Sequence, residues 1–264
     1  MIKAIFFDID DTLIKYGKDK VEESALTAIN EAKKNEIKII VATGRGYSFM
    51  HQDVKDRVKA DYYITVNGSC INDVNGNTVE SYPFDLETTN RLIDLLSERD
   101  YPFGFKFAQS FQIYNRYEDF IAQYCNKAIP ASKLIDNTGK RDYHLQNGLP
   151  LDCFIYSPNK EMLNFADSFP QLQFLGVYGD GSECWLKTVN KGKSIKRLTE
   201  IIGISLEECM AFGDALNDLE MLCECKIGVA MGNGKEEVKQ RADYVTDDIE
   251  HDGIYNAMKH FNII

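Results

Sequence analysis

Apolar positions along this chain fall into two textures, and the change between them sets its organisation. Near both ends, short runs of aliphatic, aromatic and β-branched residues read as buried strands: residues 2–7, 37–42, 62–66 and 209–212, then a strand and turn over 227–233, with 244–246 as an edge strand. Runs this short and this continuous suit strands covered on both faces. Helical spacing separates them. Val21, Ala25, Ala28, Ile29 and Ala32 form one stripe, and Ile195, Leu198, Ile201 and Ile202 form another in a helix predicted over 193–202. Gly203 ends that helix, and Ser205-Leu206-Glu207-Glu208 has capping-box spacing for a short one after it. Further helices are expected near Tyr47, from Asp218 to Glu224, over 236–241 and over 254–261. A strand, a helix and a strand make a right-handed crossover, so the strand ends should lie side by side.

The middle of the chain reads differently. Cys70 to Val79 is expected to be a hairpin around Asn75-Gly76, a pair that favours a type I′ turn. The alternation breaks at Tyr82-Pro83-Phe84, where a boundary is placed. Beyond it come a helix (86–99), aromatic strands (103–107, 111–114), a helix (118–125) and a poorly periodic polar stretch from Lys127 to Pro150. A strand (152–156), a helix (160–169) and two strands (171–177, 182–186) follow. This is the texture of an α+β insert with an antiparallel sheet. The parallel-sheet texture resumes after Thr188-Val189-Asn190-Lys191-Gly192, with Lys191 just before its helix.

Composition narrows the functional classes. At 264 residues and 44% hydrophobic content the chain can bury one large core, or a main domain with a smaller companion. A net charge of -11 and a pI near 4.9, without any basic run, argue against a phosphate-backbone binder. Cys70, Cys125, Cys153, Cys184, Cys209, Cys223 and Cys225 are odd in number and contain no C-x-x-C pair, so neither a disulfide framework nor a zinc ribbon is indicated. Cys223 and Cys225 are expected simply to pack. The chain starts on a strand rather than a signal-type segment, and no apolar run approaches ~20 residues. A cytoplasmic location and no membrane partner are therefore expected.

Candidate chemistry sits where strands end. The first run closes on Asp8-Ile9-Asp10-Asp11-Thr12, three carboxylates in four positions that could not be buried unpaired. In open parallel sheets the ligand crevice lies beyond the carboxyl ends of the strands. Packed like charges perturb one another's titration, so a metal ion with an acid/base pair is the natural reading, against a solvated acidic turn as the bland one. Thr43-Gly44 ends the second strand and offers a hydroxyl with exposed backbone N–H groups to an anionic oxygen; the bland alternative is a helix cap. Carboxylates again follow a strand at Gly213-Asp214-Ala215-Leu216-Asn217-Asp218, where Asp214 and Asp218 can converge on one pocket. His51, His144, His251 and His260 lack metal-ligand spacing and are read as surface or packing residues. Trp185 and most aromatics of the insert are read as core.

The order Asp8-x-Asp10-x-Thr12, Thr43, Lys191, Gly213-Asp214-x-x-Asn217-Asp218 resembles the haloacid dehalogenase (HAD) superfamily of phosphatases. Asn67-Gly68, Lys191-Gly192, residues 228–233 (Gly-Val-Ala-Met-Gly-Asn) and Asp252-Gly253-Ile254 resemble its Cof-type branch, which carries a large cap between the second and third motifs. The resemblance implies an α/β fold: a Rossmann-like doubly wound parallel sheet core, residues 1–81 and 187–264, with an inserted α+β cap domain, residues 82–186. Asp11 stands where many relatives have glycine, and Gly46 where many have proline. Neither departure removes a catalytic group, and a turn tolerates Asp11.

The chemistry stands beside the resemblance. Phosphoryl transfer needs an in-line nucleophile, a cation on the phosphate oxygens and positioned donors. Asp8 is the expected nucleophile, forming an aspartyl-phosphate, and Asp10 the general acid and then base. Mg²⁺ is the expected cofactor, held by Asp8, the Asp10 backbone carbonyl and Asp214, with Asp218 near by. Thr43 and Lys191 are expected on the phosphoryl oxygens, although a solvated helix-start lysine would be the bland reading of Lys191 alone. By resemblance, Arg45 and Asn67 are substrate-side candidates and Asn217 orients the metal carboxylates.

The expected function is thus a Mg²⁺-dependent phosphatase acting, as a monomer or homodimer, on a small phosphorylated metabolite, with no nucleic acid or membrane as partner. A phosphomutase would pass the phosphoryl group to a second sugar, which free-phosphate release distinguishes. A receiver domain would lack the insert. A non-catalytic sugar-phosphate binder would be expected to lack Asp8 or Asp10, and both are present.

Overall fold

β1, Ala4–Phe7, is buried along its whole length and stands in the middle of an eight-stranded sheet. The computed structural model describes residues 1–125, 130–177 and 179–264; the start of the polar stretch at Lys127 lies outside the described residues. The chain divides into two units, one of Met1–Gly44, Met50–Val79 and Asn190–Ile264, the other of Arg45–Phe49 and Glu80–Val189.

In chain order, β1 leads to α1 (Glu23–Lys34), β2 (Lys38–Ala42), β3 (Tyr62–Thr65), β4 (Cys70–Asp73) and β5 (Thr78–Ser81). Then come α2 (Leu86–Glu98), β6 (Phe103–Lys106), β7 (Phe111–Asn115), α3 (Tyr117–Tyr124), β8 (Ile135–Asp136), α4 (Tyr143–Gln146), β9 (Asp152–Tyr156), β10 (Leu172–Gly176) and β11 (Gly181–Leu186). The chain ends with α5 (Lys191–Ile202), β12 (Cys209–Gly213), α6 (Leu219–Glu224), β13 (Ile227–Ala230), α7 (Glu236–Lys239), β14 (Tyr244–Val245) and α8 (Gly253–His260).

The first sheet has the order β14-β13-β12-β1-β2-β3-β4-β5, and its pairings from β14 to β3 are parallel. Successive residues of a strand face opposite sides. Ala4 and Phe6 accordingly enter one core cluster with Ile195 and Leu198 of α5 and Met221 and Leu222 of α6, and α1 packs with α8. Of the stripe expected on α5, Ile201 is exposed, because the helix turns that position away from the sheet. Going outward from β1, the chain runs through β2 and β3 on one side and β12 to β14 on the other. The strand order therefore reverses between β1 and β12, and that junction is where an open α/β sheet forms its ligand crevice. Register enforces the alignment: Phe7 pairs with Phe212, their rings stacked at 5.1 Å, and the Asp8 N–H donates to the Phe212 carbonyl at 3.1 Å.

The second sheet has the order β10-β11-β9-β6-β7-β8 and is antiparallel except for the β7–β8 pair. Phe103, Phe105, Tyr114, Cys153, Ile155 and Cys184 pack on one face with Leu92 and Leu96 of α2. Phe111, Ile113, Phe154 and Tyr156 face the other side with Phe49, Phe120 and Tyr124. The segment Arg45–Phe49 is held in this unit by Phe49 against the Phe111 ring, 5.3 Å between centroids. Lys106 is buried between two carboxylates, 2.5 Å from Glu183 and 3.3 Å from Asp152, and burial pushes the Asp152 carboxyl up to about 8.

Three local expectations are corrected. The hairpin loop is Val74-Asn75-Gly76, and only Gly76 has positive φ, at 83°. It is a three-residue turn with a left-handed glycine rather than type I′, because the Asp73 carboxylate accepts from the Asn75 and Asn77 N–H groups and fixes the turn one residue earlier. No long helix begins at Tyr47. A single 3₁₀ turn, Tyr47–Phe49, is followed by a π-helical turn, Val54–Val58, as Phe49 leaves with the second unit. The helix expected over 160–169 is a run of 3₁₀ turns, Pro158–Ser168, with Asn159 and Lys160 left-handed at its start. Among the described residues, no helix is long and apolar enough to cross a membrane.

Candidate active site

The site grows from strand ends that the register has already aligned. Asp8 follows β1, Asp214 follows β12, and Asp218 comes from the 3₁₀ turn Leu216–Asp218 that leads into α6. All three are buried, and one carboxylate oxygen from each lies within 4.8 Å of the others. Asp218 is fixed by its other oxygen, which accepts the Asp214 and Ala215 N–H groups at 3.0 Å. Gly213 makes room for this hairpin: a Cβ there would stand 2.5 Å from the Asp218 Cβ.

Lys191 is the first residue of α5 rather than the residue before it, since the Asn190 side chain caps the helix by accepting the Lys193 N–H at 2.8 Å. Its ammonium is buried and lies 2.5 Å from both Asp8 Oδ1 and Asp218 Oδ1. The solvated-lysine reading is therefore excluded. Burial works against this charge, yet Asp218 and Asp8 hold the ammonium above its ordinary value. Asp8 is pushed well above the carboxylate range, by burial first, with Lys191 opposing and Asp218, Asp214 and Asp10 adding to the rise. Burial, then Asp218, lifts Asp214 to about 7 even though the Thr12 hydroxyl donates to its Oδ1 at 2.9 Å. With all three carboxylates ionised, the one ammonium leaves two negative charges in excess among buried side chains. Buried charges of this kind are retained when paired or when they coordinate metal. A divalent, oxygen-seeking cation fits the donor set.

Asp10 stands at the edge of the cluster with its side chain 39% exposed. Asp11 is left-handed at φ 61°, which explains why glycine suits this turn and why aspartate is tolerated. Its carboxylate accepts the Tyr16 N–H at 2.8 Å, and its carbonyl accepts the Asn233 amide at 2.7 Å. Thr43, buried after β2, donates its N–H to Ile64 and accepts the Asn67 N–H, so the ends of β2 and β3 are laced together. Val66 and Asn67 both have positive φ, 52° and 53°, a backbone state that a β-branched residue adopts only where its surroundings impose it. The turn delivers the buried Asn67 side chain to Asn217, whose amide donates to it at 3.2 Å. Arg45 belongs to the second unit.

Sequence reasoning missed two residues. Thr12 was visible as the last letter of Asp8-x-Asp10-x-Thr12, but its hydrogen bond to Asp214 spans the two halves of the core and needs the register to be seen. His51, expected on the surface or in packing, is 3% exposed, with Nε2 at 3.6 Å from Asp10 Oδ1. No sequence signal near it pointed to Asp10. His144 does pack, against Tyr114 and Asn90, while His251 and His260 are exposed. Cys225 is buried as expected, but Cys223 is exposed.

A model of the haloacid dehalogenase-like hydrolases matches residues 5–258. The chain belongs to that family. This hydrolase is 27% identical over 260 residues to the 5-amino-6-(5-phospho-D-ribitylamino)uracil phosphatase YcsE of Bacillus subtilis (strain 168), covering 98% of this chain and 96% of that one. It is 27% identical over 266 residues to the pyridoxal phosphate phosphatase YbhA of Escherichia coli (strain K12), covering 96% of each. Its fold matches the solved structure of the HAD subclass IIB sugar phosphatase BT4131 with a TM-score of 0.84 at 30% identity, over 99% of this chain and 100% of that one. The hydrolase is thus a HAD phosphatase acting on phosphate esters, with a Rossmann-like core and a cap.

Proposed function

We propose that the hydrolase is a Mg²⁺-dependent phosphatase of small phosphorylated metabolites, sugar phosphates or similar, working through an aspartyl-phosphate on Asp8. The observation that carries this reading is the buried set Asp8, Asp214, Asp218 and Lys191 at the strand-order reversal, two negative charges in excess. YcsE, YbhA and BT4131 are named for small phosphorylated substrates, which supports the same class here. Residues 82–186 are proposed as the cap that selects among substrates, and all seven cysteines are free, which suits the cytoplasm.

The chain's own residues divide the work as follows. An Asp8 carboxylate oxygen attacks phosphorus while the ester P–O bond breaks, and Asp10 gives its proton to the departing alkoxide. Water then attacks the phosphorylated Asp8, Asp10 takes the water proton, and the P–O bond to Asp8 breaks to release phosphate. Partial exposure suits Asp10, which must exchange protons with both the leaving group and water. Lys191 and Thr43 offer donors to the phosphoryl oxygens, and Asn67, Arg45 and Asn217 are the proposed substrate-side groups. Mg²⁺, when bound by Asp8, Asp214, Asp218 and the Asp10 carbonyl, would neutralise charge on those oxygens.

Trapping tests the intermediate. Asp10→Ala should lose about 10²–10⁴-fold in steady-state hydrolysis but still accept phosphate from 4-nitrophenyl phosphate, whose leaving group needs no acid. A burst of about one nitrophenolate per site and phosphate on Asp8 after acid quench are expected; their absence, with active wild type, overturns the assignment. Free phosphate released from a panel of phosphorylated metabolites separates hydrolysis from mutase transfer. The cap assignment is checked by removing residues 82–186: if the shortened chain stays folded and hydrolyses large and small esters in unchanged ratio, selection by the cap is wrong.

A further inference from the structure

His51 is a buried histidine whose ring nitrogen Nε2 has no hydrogen-bond partner among the described residues. A buried polar atom left this way calls for a functional account. The polar group facing it is the Asp10 carboxylate, 3.6 Å away, too long for a hydrogen bond in the resting structure and short enough to become one with a small shift. Catalytic hydrogen bonds are often loose before substrate binds and tighten in the reacting complex.

The backbone carrying His51 is not free to drift. It lies between Met50 and Val54, both buried, and two residues later the Asp53 carboxylate accepts the Val21 N–H at 2.9 Å and the Lys20 ammonium at 3.0 Å. That anchor ties the segment to the residues just before α1. A histidine held on a pinned loop, with one unsatisfied nitrogen beside a half-exposed carboxylate, is built to restrict where that carboxylate can point.

We propose that His51 is a positioning residue for Asp10, closing a hydrogen bond to its carboxylate so that the carboxyl group faces the leaving-group oxygen. This rests on the reading of Asp10 as the acid and base of the reaction. His51 makes no contact with substrate in this role and acts only through Asp10.

The role predicts a leaving-group signature that a merely structural histidine would not give. Single-turnover phosphorylation of Asp8 is measured with 4-nitrophenyl, phenyl and benzyl phosphates in wild type, Asp10→Ala, His51→Leu and His51→Gln. Loss of a hydrogen bond to a charged group corresponds to roughly 10- to 100-fold, so His51→Leu should lose about that much with benzyl phosphate and stay within about threefold of wild type with 4-nitrophenyl phosphate, whose leaving group needs no acid. His51→Gln, which keeps a donor of similar reach, should recover most of the benzyl phosphate rate. If His51→Leu does not fold by circular dichroism, His51→Asn, too short to reach, takes its place with the same expectation. Equal losses on all three esters, or no loss on benzyl phosphate, overturn the proposal. Failure of Asp10→Ala to show the same selectivity for the good leaving group overturns the Asp10 reading instead, so the two failures are told apart.

Discussion

Asp8→Asn should abolish phosphate release from every ester, by about 10⁵-fold or more, the scale reached when a covalent nucleophile is removed. The amide has nearly the shape of the carboxylate but no nucleophilic oxygen, so no aryl leaving group, however good, should rescue it. That separates Asp8 from Asp10, whose loss spares the first half of the reaction with an activated ester. The fold should survive the change. Burial pushes Asp8 well above the ordinary carboxylate range, so the fold already favours a neutral group at this position, and Lys191 keeps Asp218 as its partner at 2.5 Å. Near-ultraviolet circular dichroism should therefore match wild type, and an acid-quenched sample should carry no phosphate. Residual turnover above about one part in 10³ with good leaving groups would mean that phosphorus is attacked by something other than Asp8.

How much of this was legible in the sequence depends on the range of the interaction. The apolar runs ending in Asp8 and Gly213 marked strands and their carboxyl ends, and parallel register then had little freedom, because each strand is buried along its length. Of the residues in the family order, the fold brings Asp8, Lys191, Asp214 and Asp218 together. Burial of Lys191 could not be read from a helix-start lysine, since what shuts it in is α6 and the strand ends rather than its neighbours in the chain. Thr12 and His51 failed for the same reason: their partners lie 202 and 41 positions away. The hairpin failed for the opposite one. Asn75-Gly76 is a strong local signal, and a single carboxylate, Asp73, was enough to shift the turn by one residue. The run Pro158–Ser168 is 3₁₀ where a helix is expected over 160–169, with Asn159 and Lys160 left-handed at its start.

Removing divalent metal should cost activity on the order of 10³-fold or more, since a cation on the phosphoryl oxygens contributes several kcal/mol of charge stabilisation. The same carboxylates predict a second readout, independent of turnover. In the metal-free protein Asp214 is lifted to about 7 from the ordinary carboxylate value, burial being the main cause. The sign follows from proton counting. Between about pH 4 and pH 7 the folded state holds a proton on Asp214 that the unfolded chain has released, so stability is greatest at the acid end and declines as pH rises through 7. Asp8, raised for the same reason, works in the same direction. A divalent cation competes with those protons and needs the carboxylates ionised, so its apparent affinity should increase from pH 6 to pH 8. The rise in melting temperature on adding Mg²⁺ should accordingly be larger at pH 8 than at pH 6, and EDTA should reverse it. In the protein with both Asp214 and Asp218 changed to Asn, the shift should disappear at either pH, because one carboxylate opposite Lys191 no longer leaves excess negative charge. Full phosphate release in excess EDTA, or a Mg²⁺ shift that is equal at the two pH values, would show that the buried carboxylates are not balanced by a metal ion.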